Sequence, residues 1–172
     1  MGIRIHVDYD KCTGCGLCEI ACSLKHEGSL WPEASRIRVF EFVPGITIPA
    51  VCQQCPDYPC VKACPTKALS VDEKTGAVIV NDDKGILCGL CVDACPGKIP
   101  RLNRVKATVM ICDLCGGNPE CVKICSLANH NALSIVKDEP PAMRKVYLQD
   151  PKKVTAELSA KKYTTFLRGG GK

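Results

Sequence analysis

Short alternations of apolar and polar residues separate the cysteine-rich stretches of this chain. A period of two over four to seven residues is typical of β-strands, so strands are expected at residues 3–7, 37–43, 77–80 and 108–111. Two similar segments, KALSVDE from Lys67 and NALSIVK from Asn131, predict a further short strand after the second and fourth cysteine groups. A polar turn at residues 72–76 predicts a hairpin after the first of these segments.

Helix-compatible segments follow the cysteine loops. They cover residues 19–26, 61–63, 92–94 and 122–124, and Pro65 and Pro96 end two of them. Each repeat is therefore expected to contain a cysteine loop, a short helix and a short strand. A unit this small cannot bury an apolar core alone, and only 5% of the residues are aromatic. The units must therefore pair around another source of stability.

Cysteine is that source, with 15 of the 172 residues. The four groups read CTGCGLCEIAC from Cys12, CQQCPDYPCVKAC from Cys52, CGLCVDAC from Cys88 and CDLCGGNPECVKIC from Cys112. The first group has the C-x2-C-x2-C-x3-C spacing of bacterial ferredoxins, in which thiolates hold cubane iron-sulfur clusters. The second and fourth groups lengthen only the middle gap. The third lacks its first cysteine, because Gly85 stands where that ligand is expected.

Other uses of cysteine fit this pattern less well. Zinc sites combine two C-x2-C pairs, and a thioredoxin-like site needs only one such pair. A disulfide framework would leave one of the odd number of thiols unpaired, and residues 1–7 show no export signal. The interpretation is therefore a cytoplasmic, cluster-binding protein of anaerobic metabolism. The three histidines are scattered and are expected at the surface or behind the ligands.

The formal net charge of +5 counts every cysteine as neutral. Each 4Fe-4S cluster with its four thiolates adds about −2, so three clusters would bring the protein close to −1. The few aromatic residues also argue against a nucleic-acid partner. No apolar run reaches the roughly 20 residues of a membrane-spanning helix, so no direct membrane span is expected. Most of the excess positive charge lies in residues 138–172.

The order of the four groups, with Pro65 and Pro96 but Ser23 and Ser126 after their last cysteines, resembles a known family. This family comprises the four-cluster electron-transfer subunits of molybdenum and tungsten oxidoreductases of the dimethyl-sulfoxide-reductase type. The resemblance implies an α+β fold with two ferredoxin-like halves and an extended C-terminal tail. Residues 1–50 and 104–137 would form the first half, residues 51–103 the second, and residues 138–172 a basic, partner-binding tail.

The resemblance also implies the ligand sets, because in that family the last cysteine of each group crosses to the partner group's cluster. One 4Fe-4S cluster would take Cys12, Cys15, Cys18 and Cys125, and its neighbour would take Cys112, Cys115, Cys121 and Cys22. A third would take Cys52, Cys55, Cys60 and Cys95. The remaining site would keep only Cys64, Cys88 and Cys91.

Three outcomes stay open for that fourth site. It can hold a 3Fe-4S cluster, take an oxygen ligand from Asp82, Asp83 or a partner's side chain, or stay without a cluster. Loss is the favoured expectation, because Gly85 offers no donor atom and Ile86 and Leu87 are apolar residues able to fill the space. The expected cofactors are then three 4Fe-4S clusters, at the twelve cysteines of the complete sets.

The implied function is electron transfer without catalysis by this chain itself. It would relay electrons between a large catalytic oxidoreductase subunit, carrying tungsten or molybdenum, and a further electron-transfer protein. Its short length is similar to that of the small subunits of tungsten enzymes of the aldehyde oxidoreductase and class II benzoyl-coenzyme A reductase type. The alternative is a freestanding polyferredoxin.

Overall fold

The computed structural model describes residues 2–137 and 149–169. In those residues the chain forms five helices and eight short strands, which pair into four two-stranded antiparallel sheets. The strands are β1 (Ile3–Val7), β2 (Arg38–Val43), β3 (Ile46–Ala50), β4 (Leu69–Val71), β5 (Val78–Val80), β6 (Arg101–Asn103), β7 (Thr108–Met110) and β8 (Leu133–Lys137). The helices are α1 (Leu17–Glu27), α2 (Pro59–Lys62), α3 (Leu90–Ala94), α4 (Glu120–Leu127) and α5 (Pro151–Gly169).

The first strand pairs with the last one. β1 runs antiparallel to β8, with Ile5 opposite Ile135 and Val7 opposite Leu133. The alternation of β1 puts Ile5 and Val7 into the core, at 0% and 2% exposure. Helix α1 packs against α4, and α2 packs against α3. The cysteine groups are thus brought together in two pairs, the first with the fourth and the second with the third.

The remaining sheets are hairpins of neighbouring strands. β2 pairs with β3, β4 with β5 and β6 with β7. The turn between β4 and β5 is closed by Asp72, whose carboxylate accepts hydrogen bonds from the Thr75 amide at 2.9 Å and the Thr75 hydroxyl at 2.5 Å. Gly76 ends this turn at φ 74°, a left-handed conformation that suits glycine. The hairpin predicted from residues 72–76 is confirmed.

Cysteine supplies a large part of the main core. Seven of the eighteen buried residues in its apolar cluster are cysteines, and the others are aliphatic side chains from short strands and loops. No large aromatic side chain is among these buried residues. The described core is therefore built around thiols, as the small repeat units required.

The predicted strands and cysteine-adjacent helices are confirmed, with ends that differ by a few residues. The α+β class is also confirmed. Two strands were missed, β3 and β6. β3 contains Pro49, which weakens a strand pattern, and β6 has a single apolar residue, Leu102, so it shows no alternation.

The expectation of an extended C-terminal tail is wrong for residues 151–169, which form α5. Asp150 caps this helix, because its carboxylate accepts a hydrogen bond from the Lys152 amide at 2.8 Å, and Pro151 occupies the first turn. Residues 138–148 and 170–172 lie outside the described residues. The basic charge of the segment indicates a surface location but does not predict whether the backbone is extended or helical.

One turn of α5 docks on the β2–β3 hairpin. Val154 is 3% exposed and packs with Ile46 and Ile48 in a second small core. Lys152 lies 5.9 Å from the ring centroid of Phe42, within the range of a cation–π contact. The hairpin therefore serves as a platform that orders the start of the tail.

We expect Val154→Asp to release α5 from the hairpin. The burial of a valine side chain contributes about 1.5–3 kcal/mol, and a buried unpaired carboxylate is unfavourable. Amide hydrogen-exchange protection of α5 should fall at least about tenfold, because 1.4 kcal/mol corresponds to a factor of ten. Ala156→Asp places the same carboxylate on the exposed side of the helix and should leave protection nearly unchanged. Equal protection in the two variants would contradict the docking.

Candidate iron-sulfur centres

The four cysteine loops share a tight backbone turn. The residue immediately before the second cysteine position of each group has a positive φ, at Gly14 (73°), Gln54 (48°), Leu87 (54°) and Leu114 (57°). A left-handed residue turns the chain so sharply that cysteines three positions apart can face one cavity. Three of these residues carry a side chain, so the conformation is strained and is kept by its surroundings.

The first cavity, of about 350 Å³, is lined by thiols from two remote groups. Cys12, Cys15 and Cys18 come from the first loop and α1, and Cys125 comes from α4. Val39, Pro49 and Leu133 are among its other walls. Four convergent thiols in an apolar cavity fit a 4Fe-4S cubane.

The third predicted set also lines one cavity, of about 420 Å³. Cys52, Cys55 and Cys60 come from the second group, and Cys95 comes from the third. The Ile99 amide donates a hydrogen bond to Cys95 Sγ at 3.4 Å. Such amide donors stabilise a thiolate and help to set the potential of a cluster.

The second predicted set is deeply buried around Cys121. Burial raises the pKa of Cys121 most, and the neighbouring Cys22 raises it further. Burial also raises the pKa of Cys112 and of Cys115, with Cys22 among the added causes in both cases. The fourth-group thiols and Cys22 therefore lie within electrostatic reach of one another. Cys22 Sγ accepts a hydrogen bond from the Arg36 amide at 3.2 Å.

Buried thiols of this kind need a metal to become ionised. Burial raises the pKa of Cys18 to about 12 and the pKa of Cys55 and Cys60 to about 11. At pH 7 these thiols are neutral until a cation displaces their protons. The donor sets thus fit iron, which binds thiolates strongly and would supply the missing positive charge.

The fourth set lines a cavity of about 330 Å³, close in size to the first. Cys64, Cys88 and Cys91 face it, and Gly85 and Leu87 form part of the wall. Ile86, which was expected to fill the site, also lines this cavity, but it is 63% exposed. The Asp82 carboxylate accepts a hydrogen bond from the Thr108 hydroxyl, and both Asp82 and Asp83 are exposed.

His26 lies beside a proposed ligand. Its Nε2 is 3.7 Å from Cys115 Sγ and 3.4 Å from Asp113 Oδ1, and its side chain is 14% exposed. Burial lowers the pKa of His26, so the ring is neutral at pH 7. The sequence signal was the four-residue spacing from Cys22, which places both side chains on one face of α1. Sequence reasoning left this residue among the surface or supporting histidines.

Two family models match the sequence. A 4Fe-4S dicluster domain matches residues 43–135, and a 4Fe-4S binding domain matches residues 4–28. The protein belongs to the 4Fe-4S dicluster family. Several 4Fe-4S clusters are therefore its cofactors, as the cysteine spacing predicted.

Curated relatives of this dicluster protein are subunits of oxidoreductases. It is 59% identical over 159 residues to the polyferredoxin-like subunit of aliphatic sulfonate oxidoreductase from Pyrococcus furiosus, with 92% of each sequence covered. It is 34% identical over 142 residues to the B subunit of anaerobic dimethyl sulfoxide reductase from Escherichia coli, covering 70% of this protein and 68% of that subunit. The predicted resemblance to the dimethyl-sulfoxide-reductase type is confirmed.

A solved active site complex of benzoyl-coenzyme A reductase, bound to benzoyl-CoA, contains a chain 30% identical to this one. The match covers 78% of each chain, with a TM-score of 0.45. From the family models and the curated relatives, the dicluster protein is an iron-sulfur electron-transfer subunit and not the catalytic subunit of an oxidoreductase. Among the described residues, no helix has the length and apolar character needed to cross a membrane.

We expect Cys22→Ala to damage the cluster of the fourth group more than that of its own group. Brief anaerobic alkylation followed by mass spectrometry should then modify Cys112, Cys115 and Cys121 faster than in the unaltered protein, because a cluster deprived of one of its native ligands is less stable. Cys12, Cys15 and Cys18 should stay protected. In the matched variant Cys125→Ala the pattern should reverse. Labelling of Cys12, Cys15 and Cys18 in the Cys22 variant would refute the crossed pairing.

We expect His26→Leu to lower the reduction potential of the cluster at Cys115. An N–H donor near the sulfur stabilises the more negative, reduced cluster, and one hydrogen bond contributes about 1 kcal/mol. For one electron this corresponds to a shift on the order of 40 mV, measurable by EPR-monitored redox titration. His26→Gln keeps an N–H donor and should shift the potential less. An unchanged potential in the leucine variant would show that the contact has no effect on the cluster.

Proposed function

We propose that this subunit relays electrons between a large catalytic subunit, containing tungsten or molybdenum, and an external redox protein. The observation that carries the proposal is the convergence of cysteines from remote groups on separate sites within one small chain. Among the described residues, the clustered chemistry-bearing side chains are thiols and their neighbours, with no separate catalytic constellation. Such a chain has the parts needed to accept and pass electrons.

We propose the crossed ligand sets as the cofactor sites. The first cluster takes Cys12, Cys15, Cys18 and Cys125, and the second takes Cys112, Cys115, Cys121 and Cys22. The third takes Cys52, Cys55, Cys60 and Cys95. Two halves follow from these sets, residues 1–50 with 104–137 and residues 51–103. The pairing of β1 with β8 and the packing of α2 on α3 support this division.

The order of the sites supports a linear relay. Besides burial, Cys18 of the first site raises the pKa of Cys121 of the second. Besides burial and Cys121, Cys52 of the third site raises the pKa of Cys112 of the second. Gln54 also donates a hydrogen bond to the Cys112 carbonyl at 3.1 Å. The second site therefore has the first on one side and the third on the other.

The third site in turn adjoins the fourth. Burial and Cys95 raise the pKa of Cys60, and Cys91 of the fourth site adds to the shift. The two exposed cysteines of the chain, Cys15 and Cys88, belong to the first and fourth sites. Electrons would enter and leave at these two ends, while the second and third sites lie inside.

The polyferredoxin-like relative is itself named as a subunit, which favours a complex over a freestanding carrier. We propose the cytoplasm as its location, because free thiols and thiolate-bound clusters persist in reducing compartments. Residues 138–172, including the lysines of α5, would bind the partner. Aliphatic sulfonates are the first substrate class to test, since the 59% identical relative belongs to an aliphatic sulfonate oxidoreductase.

Anaerobic purification of the tagged chain from its native host tests this function. We expect it to elute with one large subunit and with tungsten or molybdenum in equal amount. Adding the substrate of that subunit should bleach the visible absorption of the oxidised clusters, as electrons reach them. If the chain elutes alone, and a large tungsten or molybdenum subunit added to it cannot reduce its clusters, the freestanding carrier is favoured instead.

A further inference from the structure

The fourth site keeps the backbone of a cluster-binding loop. The first loop reads CTGCGLC from Cys12, and the corresponding stretch from Gly85 reads GILCGLC. Leu87 has φ 54° where Gly14 has 73°, and Gly89 has φ 84° where Gly16 has 72°. Helix α3 then begins at Leu90 as α1 begins at Leu17. The two loops follow the same path although only one has its first cysteine.

The conformation of Leu87 is informative because leucine disfavours a positive φ. A glycine at this position would remove the strain, and in the first loop Gly14 occupies it. Strain of this kind persists where the surrounding structure needs it, often at a ligand site. Here the turn aims Cys88 at the same cavity as Cys91.

Cys64, the thiol that comes to this site from the second cysteine group, receives the same kind of hydrogen bond as its counterpart in a complete site. Cys64 Sγ accepts a hydrogen bond from the Ala68 amide, four residues later, at 3.3 Å. Cys95 of the complete third site accepts the equivalent bond from Ile99 at 3.4 Å. The cavity at Cys64 is close in size to that of the complete first site, and Ile86, on its wall, is 63% exposed.

Only the corner at Gly85 lacks a donor. Gly85 has φ −74° and ψ 125°, which any residue can adopt, and an added Cβ would come no closer than 3.6 Å to a neighbouring atom, the Asp82 carbonyl oxygen. A cysteine would therefore fit at this position. Neither Asp82 nor Asp83 lines this cavity, and the Asp82 carboxylate accepts a hydrogen bond from the Thr108 hydroxyl instead.

We propose that Cys64, Cys88 and Cys91 hold a fourth iron-sulfur cluster, whose iron at the Gly85 corner takes water or hydroxide as its ligand. This proposal rests on the proposed function and places the cluster at the end of the row, beside the exposed Cys88. It reverses the expectation of loss, which rested on Gly85 lacking a donor atom and on Ile86 and Leu87 filling the space. The iron at the open corner is the one that can be removed and replaced.

Mild oxidation with ferricyanide tests whether the iron at the Gly85 corner can be removed. Ferricyanide takes one electron from the 4Fe-4S core of charge +2, one Fe²⁺ leaves, and a 3Fe-4S core of charge +1 remains. Ferricyanide is reduced to ferrocyanide in the same step. The three thiolates stay bound throughout, so the cysteines remain protected. A cluster held by four thiolates resists this conversion.

The test uses the full chain in its anaerobically purified complex, with the chain's iron counted after correction for that of other subunits. We expect about 15 to 16 Fe per chain and no alkylation of Cys64, Cys88 or Cys91. Ferricyanide should produce the EPR signal of one 3Fe-4S cluster per chain. Gly85→Cys should reduce that signal at least tenfold, because it supplies the fourth thiolate, and Gly85→Ala should leave it unchanged.

About 12 Fe per chain, with alkylation of Cys64, Cys88 and Cys91 alone, would overturn this proposal and leave the proposed function intact. A ferricyanide-induced signal of equal size in the Gly85→Cys variant would also overturn it. Absence of iron with alkylation of all fifteen cysteines would instead overturn the proposed function. The wild-type measurements do not depend on how well either variant folds.

Discussion

Thiolate ligation to iron is the interaction on which the rest of this structure depends. A cubane needs ligands from several directions, and a single seven-residue loop supplies only three of them. The fourth thiol that lines the first cavity is that of Cys125, more than a hundred residues away. The fold must therefore close the first and last cysteine groups on each other, and the β1–β8 ladder does so with five residue pairs.

Short helices place the proposed cluster sites next to one another, as a relay of electrons requires. Cys18 and Cys22 lie one turn apart on α1, so under the proposed ligand sets one helix contributes to two neighbouring sites. Cys60 and Cys64, at the start and just beyond the end of α2, have the same spacing. The distance between sites is thus set by one helical turn, a rigid element. Burial of the inner sites and exposure of the end sites then leave two places for exchange with partners.

Most of the architecture could be predicted because cysteine spacing and strand alternation are local signals with strong geometric content. The tail helix could not, since its docking depends on Val154 meeting Ile46 and Ile48, a contact between remote residues. How far Ile86 fills the fourth site could not be predicted, because apolar character alone does not say how deeply a side chain enters a cavity: Ile86 lines the cavity and is 63% exposed. Leu87 shows the converse case: its positive φ is invisible in the sequence and only the coordinates make it evidence.

We expect the iron-sulfur clusters to supply much of the stability that a larger apolar core gives to other proteins. Anaerobic removal of iron with a chelator, followed by thermal unfolding monitored by circular dichroism, tests this role most directly. Because cluster binding to the native state is folding free energy here, the iron-free chain should show no cooperative transition, whereas the intact protein should. An iron-free chain that keeps a cooperative melt near that of the intact protein would contradict the role of the clusters as the core.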